Sequence, residues 1–510
     1  MNMTVREMLG QKLIFGFHGT ELPEEFQALV REYKIGNVIL FARNIVSAEQ
    51  LRRLCAQIQA LVREVTGYPA FIVIDQEGGG VSRIPDDAVN VPGAMAIAAT
   101  GDPDSARIAA EITVRQLRGL GPNFNMAPVL DVNTNPQNPV IGVRSFGDDP
   151  NYSAQFGVAA IRAYEKAGIY CCGKHFPGHG DTSVDSHLGL PKIEKTLEEL
   201  EEAELIPFRR CIEAGIPAIM SSHILFPKIE TENVPCTMSR TFITGLLKEK
   251  LGFRGLIFTD CLEMHAIQTY YGSAKGAVAA IKAGVDMAEL SHTISLMWET
   301  ARAVNEAAEA GEFDLDEIRQ SVEKILKVKE SILVQPEPEL CNRPEDRETV
   351  QALSRKAITC CAGTPFLPDE DTFFCGCGNY QVSPAANPDE QALPFPEHMA
   401  AAFGGGSMTT TLKPGEEEIA AAVKAAAPYV RILLGTINAN MFPEQLALAQ
   451  ALAATGKELT VVALGSPYEL PLLPDCTCKI AAYEYSVPCF RALEEVFRGG
   501  AVTGRLPVKL

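Results

Sequence analysis

Charged and imidazole side chains stand immediately after short runs of β-forming apolar residues: Asp75 after FIVI, Asp131 after MAPVL, Lys174 and His175 after IYCCG, His223 after AIMSS, and Asp260 after LIFT. One Asp after a strand is more often a helix cap than a catalyst. Five strands that end alike point instead to one shared site, on the face where barrel enzymes gather their reactive groups.

The densest feature is KHFPGHGDTSVDSHLGLP, residues 174–191, which holds three of the eight histidines and two aspartates in a segment broken by Gly and Pro. Three readings compete. Clustered His and Asp could bind a metal, but the spacing matches no standard zinc pattern and there is no HExxH helix. They could be buried and structural, which suits His179 and Asp181 between turn glycines. Or they could move protons. In Asp185-Ser186-His187 the carboxylate can hold one ring nitrogen, leave the other facing substrate, and raise the imidazole pKa toward that of a useful general acid.

The elements that must position these groups follow from periodicity. Eight candidate strands precede residue 290, at 12–17, 36–41, 69–74, 123–130, 168–173, 217–222, 255–259 and 284–289, with helical patterns between them at 47–65, 152–167, 196–214 and 238–251. Eight βα units in this length suggest an α/β fold of the (β/α)8 TIM-like barrel type, with a doubly wound open sheet as the alternative. Helical pattern ends near 333, and VQPEPELCNRPEDR reads as a linker. The expected division is therefore a barrel over 1–333, a linker over 334–346, and a smaller α/β domain over 347–510. In the last, apolar runs at 371–375, 429–435, 459–464 and 479–484 predict a largely parallel sheet, and 376–413 reads as loop.

Composition narrows the function. A chain of 510 residues suits two cores, and its net charge of −19 disfavours nucleic acid and anionic membrane as partners. No apolar run is long enough to span a bilayer. The 14 cysteines are scattered without a CxxC pair, which fits a reduced, cytoplasmic setting better than a disulfide framework. One tryptophan and few aromatics favour a short substrate over a gripped polysaccharide.

Nearly the whole chain resembles glycoside hydrolase family 3, in its bacterial β-N-acetylglucosaminidase branch. The resemblance rests on REYKIGNVILFARNI, IDQEGGGVSRI, FNMAPVLDVNTNPQNPVIGVRSFGDDP, KHFPGHGDTSVDSH and GLIFTDCLEM, and beyond the linker on GSPYEL, AAYEYS and TGRLPV. KHFPGHG followed by DSH is its most specific mark. The resemblance implies a barrel followed by an α/β sandwich, with Asp260 as nucleophile, His187 as acid/base and Asp185 as its dyad partner. It further implies that Asp75, Arg83, Arg144, Lys174 and His175 grip sugar hydroxyls, while Asp131 and His223 support them. Taken alone, Arg83 and Arg144 read equally well as solvated surface charge. Two positions depart from the family pattern: Gly80, where arginine is frequent, and Cys261, directly after the nucleophile.

What this implies is a retaining exo-hydrolase that releases β-linked N-acetylglucosamine from small glycans such as cell-wall fragments, needing no metal or organic cofactor and working as a monomer or weak homodimer. Because a neutral imidazole base would not repel phosphate, a phosphorylase releasing a sugar 1-phosphate is the second reading. A sugar-binding protein without activity is the third, disfavoured by intact Asp260, Asp185 and His187. A β-glucosidase of the same family is disfavoured by the 174–187 motif. The acid/base loop, 178–188, is expected to close on substrate.

Overall fold

The computed structural model describes residues 3–165, 167–182, 189–378 and 393–510. Eight parallel strands form the first sheet: β1 Leu13–Phe15, β2 Asn37–Leu40, β3 Phe71–Ile74, β4 Phe124–Asn125, β5 Tyr170–Phe176, β6 Ala218–Ser221, β7 Leu256–Thr259 and β8 Ala288–Leu290. Each neighbours the next in sequence order, and β8 returns to pair with β1. A bridge between Phe258 and Met287 brings β7 to β8, so the sheet is a nearly closed barrel, as the eight-unit reading expected.

Its strands are buried on both faces, which is why they read as continuous apolar runs. Alternation sorts their side chains. Phe71 and Val73 point inward to a core shared with Phe124, Met220 and Phe258, whereas Ile72 and Ile74 pack outward against helices. The helix Ala48–Thr66 shows how the outer layer forms. Ser47 Oγ accepts from Gln50 N, Gly67 ends the helix at φ 80°, and Leu51, Leu54, Cys55, Ile58, Leu61 and Val62 form one buried stripe. Each such leucine contributes about 1.5–3 kcal/mol by leaving water.

The second sheet runs in the order β11-β10-β12-β13-β14-β9, with β9 Thr359–Gly363, β10 Thr372–Cys377, β11 Gly406–Thr410, β12 Arg431–Thr436, β13 Glu458–Ala463 and β14 Cys478–Ala481. It is parallel except for β9, which pairs antiparallel with β14. Apolar clusters lie on both faces: Ile432, Leu434 and Val461 on one, Leu433 and Val462 on the other. The result is a three-layer α/β sandwich. Within the stretch read as loop, a helix Phe395–Phe403 and β11 are present; 379–392 lie outside the described residues.

The connection is pinned to the barrel. Glu337 pairs with Arg118 at 2.5 Å and buried Asp346 with Arg115 at 2.6 Å, both arginines on the helix Asp104–Leu120. The second sheet's carboxyl edge turns toward the barrel's loops. Asn440 donates to Pro136 O at 2.9 Å, and the Tyr468 hydroxyl donates to Asn133 O at 3.1 Å. Among the described residues no helix is long and apolar enough to cross a membrane.

Candidate active site

The loop after β3 supplies the first charged groups. Gln76 folds it back on itself, accepting from Arg83 N at 2.9 Å and Ser82 Oγ at 3.1 Å and donating to Asn90 at 2.9 Å. Gly79, at φ 55°, lies so close to Gly93 that a Cβ would fall 2.8 Å from the Gly93 Cα, which explains the glycine run. This turn sets Asp75, Glu77 and Arg83 around the barrel mouth.

Lys174, at the end of β5, reaches back to two of these carboxylates, with Nζ 2.7 Å from Asp75 Oδ1 and 2.7 Å from Glu77 Oε1. Glu77 also receives a two-pronged contact from Arg144, at 2.9 and 2.8 Å. Arg144 and Arg83 are both buried, so the surface-charge reading of the two arginines does not hold. Burial alone would raise the Glu77 carboxyl, but Arg144 and Lys174 outweigh it and hold Glu77 well below the usual range.

Asp131 follows β4 and is wholly buried. It accepts from the backbone N–H of His175 and of His179, at 3.1 and 2.7 Å, and from His175 Nδ1 at 2.7 Å. Burial raises its carboxyl, yet His175 and the other donors bring it below the ordinary value. An ionised carboxylate only accepts, so His175 Nδ1 carries the proton of this bond. His179 is buried, as expected, with Nδ1 2.9 Å from Thr182 Oγ1; burial and then the charge of His175 push its pKa down to about 4. Asp181 is half-buried and paired with Lys195 at 3.0 Å. Gly180 lies against Val132 O, where a Cβ would be 1.7 Å away. Asp185 and His187 lie outside the described residues.

Asp260 stands at the end of β7, its N–H bonded to Ser221 O at 3.1 Å and its Oδ1 accepting from Cys261 N at 2.7 Å. Burial raises its carboxyl, but His223, His175, the Cys261 N–H and Lys174 together carry it below the ordinary value. His223 Nε2 donates to Cys261 O at 3.0 Å and so steadies the residue that follows Asp260.

Of the sequence candidates, Asp75, Arg83, Arg144, Lys174, His175, Asp131, His223 and Asp260 therefore belong to one connected cluster at the carboxyl end of the barrel. Two members went unread in the sequence. Glu77, two residues after Asp75, joins Lys174 to Arg144; Glu289 on β8 is buried beside Asp75 and Asp260. A cleft of about 1350 Å³ lies beside this cluster, between the β3 loop and the second domain's 483–491 stretch. Glu77, Arg83 and Arg144 border it, but Lys174, His175 and Asp260 do not, so this cleft is not where the charges converge. Among the described residues no group of three or more His, Cys, Asp or Glu could hold a metal ion.

Comparison with known proteins agrees with the fold. Residues 4–328 match the model of the glycosyl hydrolase family 3 N-terminal domain. Beta-hexosaminidase A of Pseudoalteromonas piscicida is 32% identical, over 99% of this chain and 97% of that protein. The beta-hexosaminidase of Thiobacillus denitrificans is 36% identical over 54% of this chain and 77% of its own length. The structure of a glycoside hydrolase family 3 beta-N-acetylglucosaminidase from Paenibacillus sp. str. FPU-7 superposes with a TM-score of 0.93 at 36% identity, covering 100% of this chain and 99% of that one. Fold, site and relatives together define a glycoside hydrolase built on a barrel with an appended sandwich domain. The chain belongs to glycosyl hydrolase family 3.

Proposed function

We propose that this enzyme is a retaining, exo-acting β-N-acetylhexosaminidase that removes terminal β-linked N-acetylglucosamine from small soluble glycans, with cell-wall fragments in the cytoplasm as the substrate class. The observation that carries the reading is the environment of Asp260: a carboxylate at the end of a barrel strand, kept ionised by His223, His175 and Lys174, beside a floor of paired Asp, Glu, Lys and Arg. The relatives, each named for this activity or for its β-N-acetylglucosaminidase form, support the same substrate.

In this reading Asp260 attacks the anomeric carbon and forms a glycosyl-enzyme intermediate through an oxocarbenium-like state. Asp75, Lys174, Arg83, Arg144 and the outward Nε2 of His175 hold sugar hydroxyls, while Asp131 and His223 fix the groups behind them. His187, oriented by Asp185, protonates the departing oxygen and then activates water; this assignment rests on the 174–187 motif. Retention requires the acid/base and nucleophile to approach to roughly 5 Å during reaction.

The test is release of p-nitrophenol from its β-N-acetylglucosaminide by the wild type and by Asp260→Ala, with and without phosphate, with analysis of the sugar. Free N-acetylglucosamine at a phosphate-independent rate, and a variant slowed at least about 10³-fold, is the expected outcome. Sugar 1-phosphate would move the assignment to a phosphorylase, and an active Asp260→Ala enzyme would remove Asp260 from the mechanism.

A further inference from the structure

Glu289 is a carboxyl group in a place where a barrel strand would ordinarily carry an apolar side chain. Its neighbours Ala288 and Leu290 pack outward against helices, and Met287 faces the barrel interior, so strand alternation turns Glu289 inward at the pocket end of β8. The residue is 3% exposed. Ser291 Oγ donates to its Oε1 at 2.9 Å, whereas Oε2 is buried without a hydrogen-bond partner among the described residues.

Asp75 after β3 and Asp260 after β7 are carboxylates; Lys174 on β5 is the cation; Cys172 on β5 and Cys261 after β7 are thiols raised far above their usual range, first by burial. Asp75, Glu77 and Asp260 face Lys174, Arg83 and Arg144, buried Asp131 is paired with His175, and Arg43 bonds Ser291 O, whereas no ion pair reaches Glu289 among the described residues. An ionised carboxylate in that position is disfavoured both by desolvation and by its like-charged neighbours.

We propose that Glu289 is a positioning residue of the sugar pocket that works as a neutral carboxylic acid, leaving Lys174 to Asp75 and Glu77 and leaving Asp260 the charge it needs. Burial, then the charges of Asp75 and Asp260, raise its carboxyl well above the ordinary value, as this role requires. When Glu289 loses its proton at alkaline pH, the new charge competes for Lys174 and loosens the Asp75–Lys174–Glu77 arrangement, so KM rises. The proposal rests on the reading of Asp260 as nucleophile and Asp75 as a sugar ligand, and it adds a residue that touches neither the sugar nor the reacting atoms.

The experiment pairs kinetics with infrared spectroscopy on the full-length enzyme. Glu289→Gln keeps the shape and cannot ionise. With an aryl β-N-acetylglucosaminide whose acidic phenol departs without protonation, the general acid does not shape the alkaline limb. The expected result is that the ratio of kcat/KM for Glu289→Gln to that of the wild type rises at least about tenfold from neutral to alkaline pH, a change equivalent to one pK unit, and that it does so through KM. In the infrared difference spectrum the wild type should show one protonated-carboxyl carbonyl band at neutral pH that the variant lacks. A ratio that stays flat or falls, or the absence of that band, overturns the proposal. Should Glu289→Gln not fold, Ser291→Ala removes the donor that favours the charged form and should itself shift the alkaline limb upward; an unmoved limb is equally fatal. The carbonyl band reports on Glu289 even if Asp260→Ala proves active, so failure of the nucleophile reading and failure of this proposal remain separate results.

Discussion

Replacing Glu77 by glutamine should weaken the fold and the sugar pocket together, with a pH signature that identifies the cause. Both carboxylate oxygens are engaged, Oε2 by Arg144 at 2.9 Å and Oε1 by Arg144 at 2.8 Å and Lys174 at 2.7 Å. The amide keeps one acceptor but turns N–H groups toward a cation, and it leaves a surplus positive charge beneath the pocket. The side chains of Arg144 and Glu77 are only 8% and 6% exposed, so solvent screening offers little relief. Removing one member of such a buried pair costs about 3–5 kcal/mol, a large part of the about 5–15 kcal/mol by which typical domains are stable. Because the folded-state carboxyl of Glu77 is depressed, its contribution is present above the unfolded value of about 4.3 and is lost as pH falls toward the folded value. Urea unfolding at neutral and at acid pH measures the gap. It should be widest near neutrality and should narrow below about pH 4.3, while KM for the aryl glycoside rises because Lys174 loses one of its two anchors. A neutral-pH difference smaller than about 1 kcal/mol, or a gap independent of pH, would refute the reasoning.

Glu469 behaves in the opposite sense. Burial pushes its carboxyl up to about 7 against the Thr436 hydroxyl and the Ala439 N–H, so its stabilising contribution is present below the unfolded value and is lost as pH rises to about 7. Glu469→Gln retains an acceptor for Ala439 N and should gain on the wild type by up to about 3 kcal/mol between mildly acid and mildly alkaline pH, at about 1.4 kcal/mol per pK unit; parallel unfolding curves at both pH values would contradict this. Tyr468→Phe removes the hydroxyl shared with Asn133 O and Nδ2 at 3.1 and 3.3 Å, and should lower stability by about 1 kcal/mol in urea unfolding while reducing kcat/KM, since Asn133 belongs to the loop that seats His179. An unaltered kcat/KM would mean that the second domain does not tune the site through this contact.

Much of the fold was legible because the barrel strands are buried on both faces and leave apolar runs bounded by turns. Limits appear where backbone chemistry, and not hydrophobicity, ends a strand. The run 123–130 reads as one strand, but β4 is only Phe124–Asn125, since Pro128 has no N–H to offer a ladder. β11, GSMTT, lies at a sheet edge with little apolar signal, and β9, TCCAG, is a half-buried antiparallel edge; neither stands out in the sequence. The helix Phe395–Phe403 is hidden by the prolines at its start. In the site, position after a strand marked Asp75, Asp131, Lys174, His175, His223 and Asp260, whereas Arg83 and Arg144 came only through family resemblance, because their burial is a tertiary fact. Glu77 lies within a glycine turn and Glu289 ends the run 284–289 read as the eighth strand, and neither position singled the residue out. A carboxylate of the same strand parity as an inward methionine, Met287, was the available clue.

The second domain's contribution follows from which of its edges meets the barrel. Loops at the carboxyl ends of parallel strands are where α/β sheets meet ligands, and here those of β12, β13 and β14 meet the barrel's own loops. Asn440 bonds Pro136 O, Tyr468 bonds Asn133, and buried Glu484 takes the Gly93 N–H beside Gly79. The contacts land on two segments that carry charged site residues: the β3 loop with Asp75, Glu77 and Arg83, and the β4 loop with Asp131 and Arg144. The β4 loop in turn holds the start of the His-rich segment, since Asn138 donates to His179 O at 2.8 Å and Asn135 to Thr182 O at 3.3 Å. Residues on this side of the barrel mouth are therefore fixed from above as well as below. The β7 and β8 ends that bear Asp260 and Glu289 are fixed within the barrel, through Ser221, Cys261 and Ser291. Under the proposed mechanism the nucleophilic carboxylate belongs to the barrel alone, and the sandwich domain acts on the residues proposed to hold the sugar.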